Sequence, residues 1–91
     1  MARGARLKPN RLVEKLVQLR TALGLSQNEL IRELGVDLTQ NRISEYETGK
    51  GEPPLPVLLR YARVAGVCVE TLIDDELDLP EKLPAKPKHR A

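Results

Sequence analysis

The stretch LSQNELIRELGVDLTQNRISEYETGK, residues 25–50, decides the fold because it contains two short helical segments separated by a turn. In the first segment Ser26 precedes Glu29 by three residues. This is the spacing of a capping box, in which each side chain bonds the backbone N–H of the other residue. Gly35 follows, and glycine readily adopts the backbone conformation that ends a helix. The sequence therefore predicts a helix over residues 27–34.

The second segment of this stretch has its own start and stop signals. Thr39 is a residue type that caps helix N-termini, and Gly49 is the usual type at a helix C-terminus. Between them Tyr46 follows Ile43 at a distance of three positions, so the two lie on one face of a helix. We predict a helix over residues 40–48 with Ile43 and Tyr46 turned inward.

Three further helices are predicted on either side of this pair. Leucines recur at steps of four, three and four between residues 12 and 23, which predicts a first helix over residues 10–23. The sequence after the double proline predicts a fourth helix over residues 55–65, and a short fifth helix is expected over residues 69–74. No strand pattern is present. The fold class is therefore all-α, a compact domain of five helices spanning residues 10–79.

The composition limits the class of protein. The chain has 91 residues, 41% of them hydrophobic, with no Phe or Trp. The scarcity of aromatic side chains argues against proteins that stack single-stranded bases on aromatic platforms. The single cysteine, Cys68, excludes an internal disulfide and is expected to be a small buried hydrophobe. No apolar run reaches the roughly 18 residues that a membrane span needs, and no secretory signal is expected, which favours a cytoplasmic protein without membrane contact.

Charge is distributed unevenly along the chain. Residues 1–20 carry a net charge of +5, residues 67–81 carry −6, and residues 82–91 carry +4. We expect residues 1–9 to form a flexible basic arm and residues 80–91 to form a disordered tail rich in proline and lysine. Clustered positive charge favours a polyanionic partner, although solvated chain ends would show the same pattern.

The outward face of the helix over residues 40–48 is polar. A helical wheel places five side chains opposite the inward face and Arg42 on the flank. Amide and hydroxyl groups both donate and accept hydrogen bonds and carboxylates accept them, as reading base edges in a major groove requires. An ordinary solvated helix surface has the same composition, so this face alone does not decide the function. The five side chains are Gln40, Asn41, Ser44, Glu45 and Thr48.

The order and spacing of these motifs resemble a known family over residues 11–74. The matching features are Arg20, G-L-S-Q at 24–27, the spacing of Leu30, Leu34 and Gly35, I-S-E-Y-E-T-G-K at 43–50, Pro53 and Leu72. They resemble the Cro/C1-type helix-turn-helix domain, or XRE family, of bacterial and phage transcriptional regulators. The resemblance implies a lambda-repressor-like DNA-binding domain whose partner is double-stranded DNA.

The resemblance also implies roles for individual residues. The helix over residues 40–48 is expected to enter the major groove, with base contacts from Gln40, Asn41, Ser44, Glu45 and Arg42. Arg42 could alternatively reach a phosphate. Phosphate contacts are expected from Ser26, Gln27, Thr48 and Lys50. Arg20 and Glu47 occupy positions that pair across helices in related domains, which implies a structural ion pair.

Two features depart from the family pattern. Seven residues separate Gly35 from Ile43, a longer turn than is usual, and the bulky Ile31 stands where alanine is common. We expect the longer turn to let the third helix move outward and so accommodate Ile31. The angle at which that helix approaches DNA depends on this compensation.

The function predicted from the sequence is a sequence-specific DNA-binding transcription regulator, in particular a repressor. One recognition helix makes few base contacts, so tight binding requires a homodimer on two half-sites about one helical turn apart. The dimer surface is expected after the fourth helix, in residues that alternatively complete the core. They are Leu72, Ile73, Leu77 and Leu79.

The alternative hypothesis is a protein-interaction module, such as an antitoxin-like partner or an adaptor, that uses the acidic residues 70–81 as its interface. An enzyme is not expected, because no metal-ligand cluster, phosphate-binding loop or nucleophile with a base occurs at an interpretable spacing. No cofactor and no metal are expected.

Overall fold

The computed structural model describes residues 9–84, and this range contains five helices joined by loops. No strand occurs in this range, which confirms the predicted all-α fold. The second, third and fourth helices have the predicted bounds. The first begins two residues later and ends one residue earlier than predicted, and the fifth ends one residue earlier. The helices are α1 Leu12–Ala22, α2 Gln27–Leu34, α3 Gln40–Thr48, α4 Leu55–Ala65 and α5 Val69–Ile73.

Local capping explains where α2 and α3 begin and end. The Ser26 hydroxyl accepts a bond from the Glu29 N–H (3.1 Å), and the Glu29 carboxylate accepts one from the Ser26 N–H (2.7 Å). The Thr39 hydroxyl accepts from the N–H three residues further on (3.2 Å). Gly35 and Gly49 end the two helices with φ of 69° and 82°, a left-handed conformation that strains residues with a Cβ.

The core consists mainly of aliphatic side chains, because the chain contains two tyrosines and no Phe or Trp. Ile43 and Tyr46 of α3 enter it from one side, which fixes the rotation of α3 about its axis. Ile31 and Leu38, from α2 and the longer turn, are half-buried against it. The residues with at most 1% exposure include Leu16, Leu19, Leu23, Leu30, Leu34, Tyr61, Ala62, Ala65 and Leu72.

The start of α1 is closed by residues that follow α5. Arg11, the N-cap of α1, makes no side-chain capping bond. Instead, the Asp75 carboxylate accepts bonds from the Asn10 N–H (3.0 and 2.9 Å) and the Arg11 N–H (3.0 Å). These amide donors hold the pKa of Asp75 below its ordinary value of 3.8. Asp75, 64 residues away from Arg11, therefore caps the amides that lead into α1.

A buried lysine joins α1 to the end of α5. Lys15 is fully buried, and its Nζ donates to the carbonyl oxygens of Thr71 (2.9 Å) and Asp74 (2.8 Å). The last carbonyls of a helix lack partners within it, so a cation there satisfies them and interacts favourably with the helix dipole.

The predicted terminal segments lie mostly beyond the described residues. Residues 1–8 of the basic arm and residues 85–91 of the tail are outside the range 9–84. Within the range, Leu79 is buried and Leu83 is half-buried against the core.

The prediction that Cys68 is buried is wrong, because its side chain is exposed. Cys68 is the N-cap of α5 and has an extended backbone, with φ of −77° and ψ of 150°. Neighbouring side chains of an extended segment point to opposite sides. Val67 and Val69 pack against the core, and Cys68 between them faces outward.

Candidate nucleic-acid interface

The outward face of α3 presents the polar side chains that the sequence identified. The opposite face is fixed in the core by Ile43 and Tyr46, which are 0% and 3% exposed. Gln40, Asn41 and Arg42 are exposed, and Ser44 and Glu45 are half-buried. The first turn of α3 therefore carries three accessible side chains that can bind a partner.

A side-chain network centred on Gln27 links the start of α2 to α3. The Gln27 Oε1 accepts bonds from Gln40 Nε2 (3.1 Å) and Ser44 Oγ (3.3 Å). The Gln27 Nε2 donates to Glu47 Oε1 (3.1 Å). Three positions along α3 are thus tied to one amide group, which restricts the orientation of Gln40 and Ser44.

The network continues through Glu47 to α1. Arg20 donates to Glu47 through Nε (2.7 Å) and Nη2 (3.1 Å), a bidentate ion pair. The third nitrogen, Nη1, donates to the Leu25 carbonyl (2.9 Å). The side chains are only 21% and 7% exposed, and Glu47 raises the pKa of Arg20. Arg20 and Glu47 therefore connect α1, the α1–α2 loop and α3 beneath the polar face.

A second ion pair lies on the surface of α3. Arg42 Nη1 and Glu45 Oε1 are 2.8 Å apart, and the two side chains are 56% and 43% exposed. Exposed pairs of this kind contribute about 0.2–1 kcal/mol, because water solvates both groups well when they separate. The pair can therefore open at small cost when a binding partner competes for either group.

The two hydroxyl groups predicted to contact phosphate differ in hydrogen bonding. The Ser26 hydroxyl acts as an acceptor in its cap, so its own hydrogen is free to be donated outward. Thr48 Oγ1 donates its hydrogen to the Ser44 carbonyl (2.9 Å), one turn back in α3. A Thr48 phosphate contact requires this hydroxyl to rotate, whereas a Ser26 contact leaves the cap intact.

The loop after α3 turns sharply and positions Lys50. The N–H groups of Lys50 and Gly51 both donate to the Glu45 carbonyl, at 3.0 and 3.2 Å. A Cβ on Gly51 would lie 3.4 Å from the Glu45 Cβ, at the close end of van der Waals contact. Lys50 is exposed at the end of α3 opposite Gln40, so predicted phosphate contacts lie at both ends of this helix.

Two surface clefts lie beside the start of α1 rather than over the outward face of α3. The larger, about 600 Å³, is lined by apolar residues of α1, α4 and α5 and by three polar residues, Asn10, Glu52 and Asp75. The smaller, about 240 Å³, brings Pro9 to the same cleft as Tyr46 and Lys50. The chain that enters α1 therefore lies next to the loop that follows α3.

Sequence reasoning gave Gln27 a phosphate contact and missed its bonds to α3. The available signal was that α2 and α3 both begin with glutamine, which places two long amide side chains at neighbouring helix N-termini. The role of Asp75 was also missed, because the acidic run was considered only as a surface.

Comparison with known proteins identifies the family. The family described as Helix-turn-helix matches residues 16–70, which contain the capped pair α2 and α3 and the Arg20–Glu47 ion pair. The chain belongs to the helix-turn-helix family. The match confirms the Cro/C1-type helix-turn-helix resemblance found from the sequence.

Two curated relatives share this helix-turn-helix region. The chain is 34% identical over 73 residues to an uncharacterized HTH-type transcriptional regulator, YonR, derived from the SPbeta prophage of Bacillus subtilis strain 168. It is 38% identical over 63 residues to the HTH-type transcriptional activator BcrR of Enterococcus faecalis. The alignments cover 77% and 69% of this chain but only 66% and 30% of those proteins, so this chain spans less than two thirds of either relative. No significant match was found among solved structures.

Two structural features, a metal-binding cluster and a membrane-spanning helix, are absent from residues 9–84. In this range no cluster of three or more His, Cys, Asp or Glu side chains is arranged to hold a metal ion. No helix in the same range has the length and apolar character of a membrane span.

Proposed function

We propose that the protein is a sequence-specific regulator of transcription that reads the major groove of double-stranded DNA with α3. The observation that carries this proposal is the orientation of α3. Its first turn exposes Gln40, Asn41 and Arg42, while Ile43 and Tyr46 anchor the opposite face in the core. A helix anchored in this way can enter a groove without unfolding any part of the domain.

The exposed groups have the chemistry that base edges require. Asn and Gln form bidentate pairs with adenine and Arg with guanine, and Glu accepts from cytosine; each good pair discriminates by about 1–3 kcal/mol. Gln40 gives one N–H to Gln27, which leaves its carbonyl oxygen and second N–H for adenine. Opening the Arg42–Glu45 pair makes both of those side chains available as well.

Groups at both ends of α3 are suited to DNA phosphates. Ser26 and Gln27 lie at the N-terminus of α2, where the helix dipole favours anions. Thr48 and the exposed Lys50 lie at the other end of the face. We propose that these four residues set the register of α3 in the groove.

We further propose that the protein is a repressor that occupies its operator as a homodimer in the cytoplasm. A single recognition helix supplies too few base contacts for tight binding, and two copies on two half-sites double them. Of the four residues predicted for the dimer surface, Leu72 and Leu79 are buried in the core. Ile73 and Leu77 are 36% and 41% exposed and are the ones suited to contact a second copy.

Selection of bound duplexes from a random pool tests the base-reading proposal. We expect enrichment of a palindromic site, and we expect Gln40→Ala with Asn41→Ala to weaken binding to that site by about tenfold or more. Gln18→Ala is the matched control, because it removes an exposed amide from α1 and should leave affinity unchanged. A double variant that selects the same sequence as the wild type would exclude base reading by α3, and failure to enrich any duplex would overturn the proposed function.

The dimer is tested with Leu77→Asp. We expect this variant to bind a single half-site normally and to lose the extra affinity for a duplex with two half-sites. Leu59→Asp is the control, since Leu59 on α4 is also 41% exposed. Equal losses on one and two half-sites would contradict a dimer surface at Leu77.

The alternative of a protein-interaction module depends on the acidic residues 70–81. Within that segment the carboxylates of Asp75 and Asp78 bind the start of α1. These bonds support a structural role for two of its charges and so weaken the case for an interface. A protein that bound no duplex at all would favour this alternative.

A further inference from the structure

A buried ammonium group fixes the point at which the chain leaves α5. Lys15 of α1 is fully buried, and its Nζ donates to the carbonyl oxygens of Thr71 (2.9 Å) and Asp74 (2.8 Å). The first carbonyl lies in the last turn of α5. The second belongs to the C-cap, where the backbone becomes extended, with φ of −91° and ψ of 112°. Lys15 therefore attaches both the end of α5 and the first residue after it to α1.

The Asp74 carbonyl is shared with a residue of the proposed dimer surface. The Leu77 N–H donates to the same oxygen (3.0 Å) and closes a turn over residues 74–77. A carbonyl oxygen has two lone pairs, so it can accept both bonds. Lys15 Nζ and the Leu77 backbone are thus joined through one atom, and the position of Leu77 relative to α1 depends on the lysine.

The short helix α5 has few contacts of its own that could fix its orientation. It contains five residues, fewer than a helix needs to be stable by itself, and Leu72 is its one buried side chain. Ile73 follows Leu72 and is 36% exposed, and Leu77 beyond the helix is 41% exposed. The direction of these two exposed side chains is therefore set largely by the hydrogen bonds that attach the segment to α1.

A second attachment joins the same turn to α1, but it is more open to water. The Asn10 and Arg11 amides donate to the Asp75 carboxylate, and the Asn10 bonds are exposed while the Arg11 bond is only partly buried. Water competes for exposed bonds, whereas a buried group that loses its partner remains unsatisfied. Because Lys15 is fully buried, its bonds are the stronger constraint on the turn.

We propose that Lys15 is a positioning residue for the homodimer, which holds the end of α5 on α1 and so presents Ile73 and Leu77 to a second copy of the chain. The inference rests on the proposed function, of which the dimer is a part. Because Lys15 is buried, it reaches neither the second copy nor the DNA. Its contribution to binding should therefore appear only where two copies bind side by side.

The test measures binding of Lys15→Met to duplexes that contain one or two half-sites of the selected sequence. Methionine fills a similar volume without a donor, and replacing buried ionic groups by apolar side chains of similar volume is often tolerated by a fold. We expect the variant to bind one half-site as the wild type does and to lose most of the extra affinity that two half-sites give. Lys82→Met is the matched control, because it removes the same charge from an exposed position and should retain that extra affinity.

A second comparison separates positioning from a purely structural role. Lys15→Met is combined with Leu77→Asp in one chain. Because Lys15 acts through the dimer surface, the double variant should bind two half-sites about as weakly as Leu77→Asp alone. Additive losses in the double variant, or equal losses on one and two half-sites in Lys15→Met, would show that Lys15 only stabilises the fold.

Two controls complete the experiment. Lys15→Gln retains N–H donors on a shorter side chain and should lie between the wild type and Lys15→Met, which keeps the test usable if the methionine variant does not fold. Thermal melting of each variant identifies loss of folding directly. If the wild-type chain gains no affinity from a second half-site, the proposed dimer fails together with this inference. A wild-type gain that Leu77→Asp abolishes and Lys15→Met retains overturns the inference alone.

Discussion

The two ends of α1 are both tied by charged side chains to distant parts of the chain, but they differ in burial. At the C-terminal end Arg20 and Glu47 form a bidentate pair with 21% and 7% of their side chains exposed. At the N-terminal end Arg11 pairs with Asp78, which is 77% exposed. Where water is excluded, losing one partner leaves a costly unpaired charge, whereas at the surface water replaces the lost partner. We therefore expect the loss of one ion-pair partner to lower the free energy of unfolding more at the C-terminal end of α1 than at its N-terminal end.

The largest effect is expected for Glu47→Ala. The substitution leaves Arg20 without its partner in a mostly buried site and removes the acceptor of the Gln27 bond. Loss of one partner of a buried pair costs about 3–5 kcal/mol, and the partial exposure of Arg20 puts the expected loss near the lower value. Denaturant unfolding measures it.

Glu45→Ala is the matched control for that variant. Glu45 lies two residues away on the same helix, and its pair with Arg42 is exposed, so its loss should cost less than about 1 kcal/mol. Equal losses for the two variants would refute the argument from burial.

Tyr61→Phe is expected to increase stability, by less than Glu47→Ala decreases it. Tyr61 lies in the core beside the Arg20–Glu47 pair. The Tyr61 hydroxyl is buried without a hydrogen-bond partner among residues 9–84, and burial raises the pKa of this tyrosine. Removing such a group relieves its desolvation cost while the ring keeps filling the core. We expect the free energy of unfolding to rise by up to about 1 kcal/mol.

Tyr46→Phe should give no comparable gain, because its hydroxyl is not among the buried unpartnered atoms. A loss of stability in Tyr61→Phe would mean that this hydroxyl has a favourable interaction in solution.

The smallest effect is expected for the pH dependence of stability, through Asp75 at the exposed N-terminal end of α1. The amides of Asn10 and Arg11 hold the pKa of Asp75 below 3.8, so its carboxylate stabilises the fold above that pH. The stabilisation is lost as pH falls from about 4 through the lowered pKa in the folded state. Melting temperatures measured between about pH 5 and pH 2 should therefore fall less steeply in Asp75→Asn than in the wild type.

Glu76→Gln should keep the acid sensitivity of the wild type, because its carboxylate does not bond to α1. If Asp75→Asn and the wild type lost stability in parallel on acidification, the cap would not contribute to the pH dependence.

Sequence alone was sufficient for the elements whose ends are decided locally. The bounds of α2 and α3 follow from side chains within three residues of the helix start, Ser26 with Glu29 and Thr39, and from the glycines that end them. The polar face of α3 follows from helical periodicity once Ile43 and Tyr46 are placed inward. Such signals do not depend on the rest of the fold.

The sequence was insufficient where a partner comes from far along the chain. The start of α1 was predicted too early because its cap, Asp75, is 64 residues distant from Arg11. The bonds between Gln27 and α3 depend on the angle at which α2 and α3 meet. The periodicity of the sequence does not reveal this angle. The burial of Cys68 was predicted wrongly for a related reason. Its exposure depends on its own extended backbone at the start of a five-residue helix.

If the protein reads DNA as proposed, the exposed Arg42–Glu45 pair also affects how it finds its site among the many competing sites of a genome. Away from the operator the pair is closed and neutralises the guanidinium, so α3 adds little to the attraction that any DNA phosphate exerts. Under the proposed function, the pair opens at a matching sequence, and both groups gain partners among the bases. Under the proposed function, this exchange lowers the time spent on incorrect sites relative to the time spent on the operator.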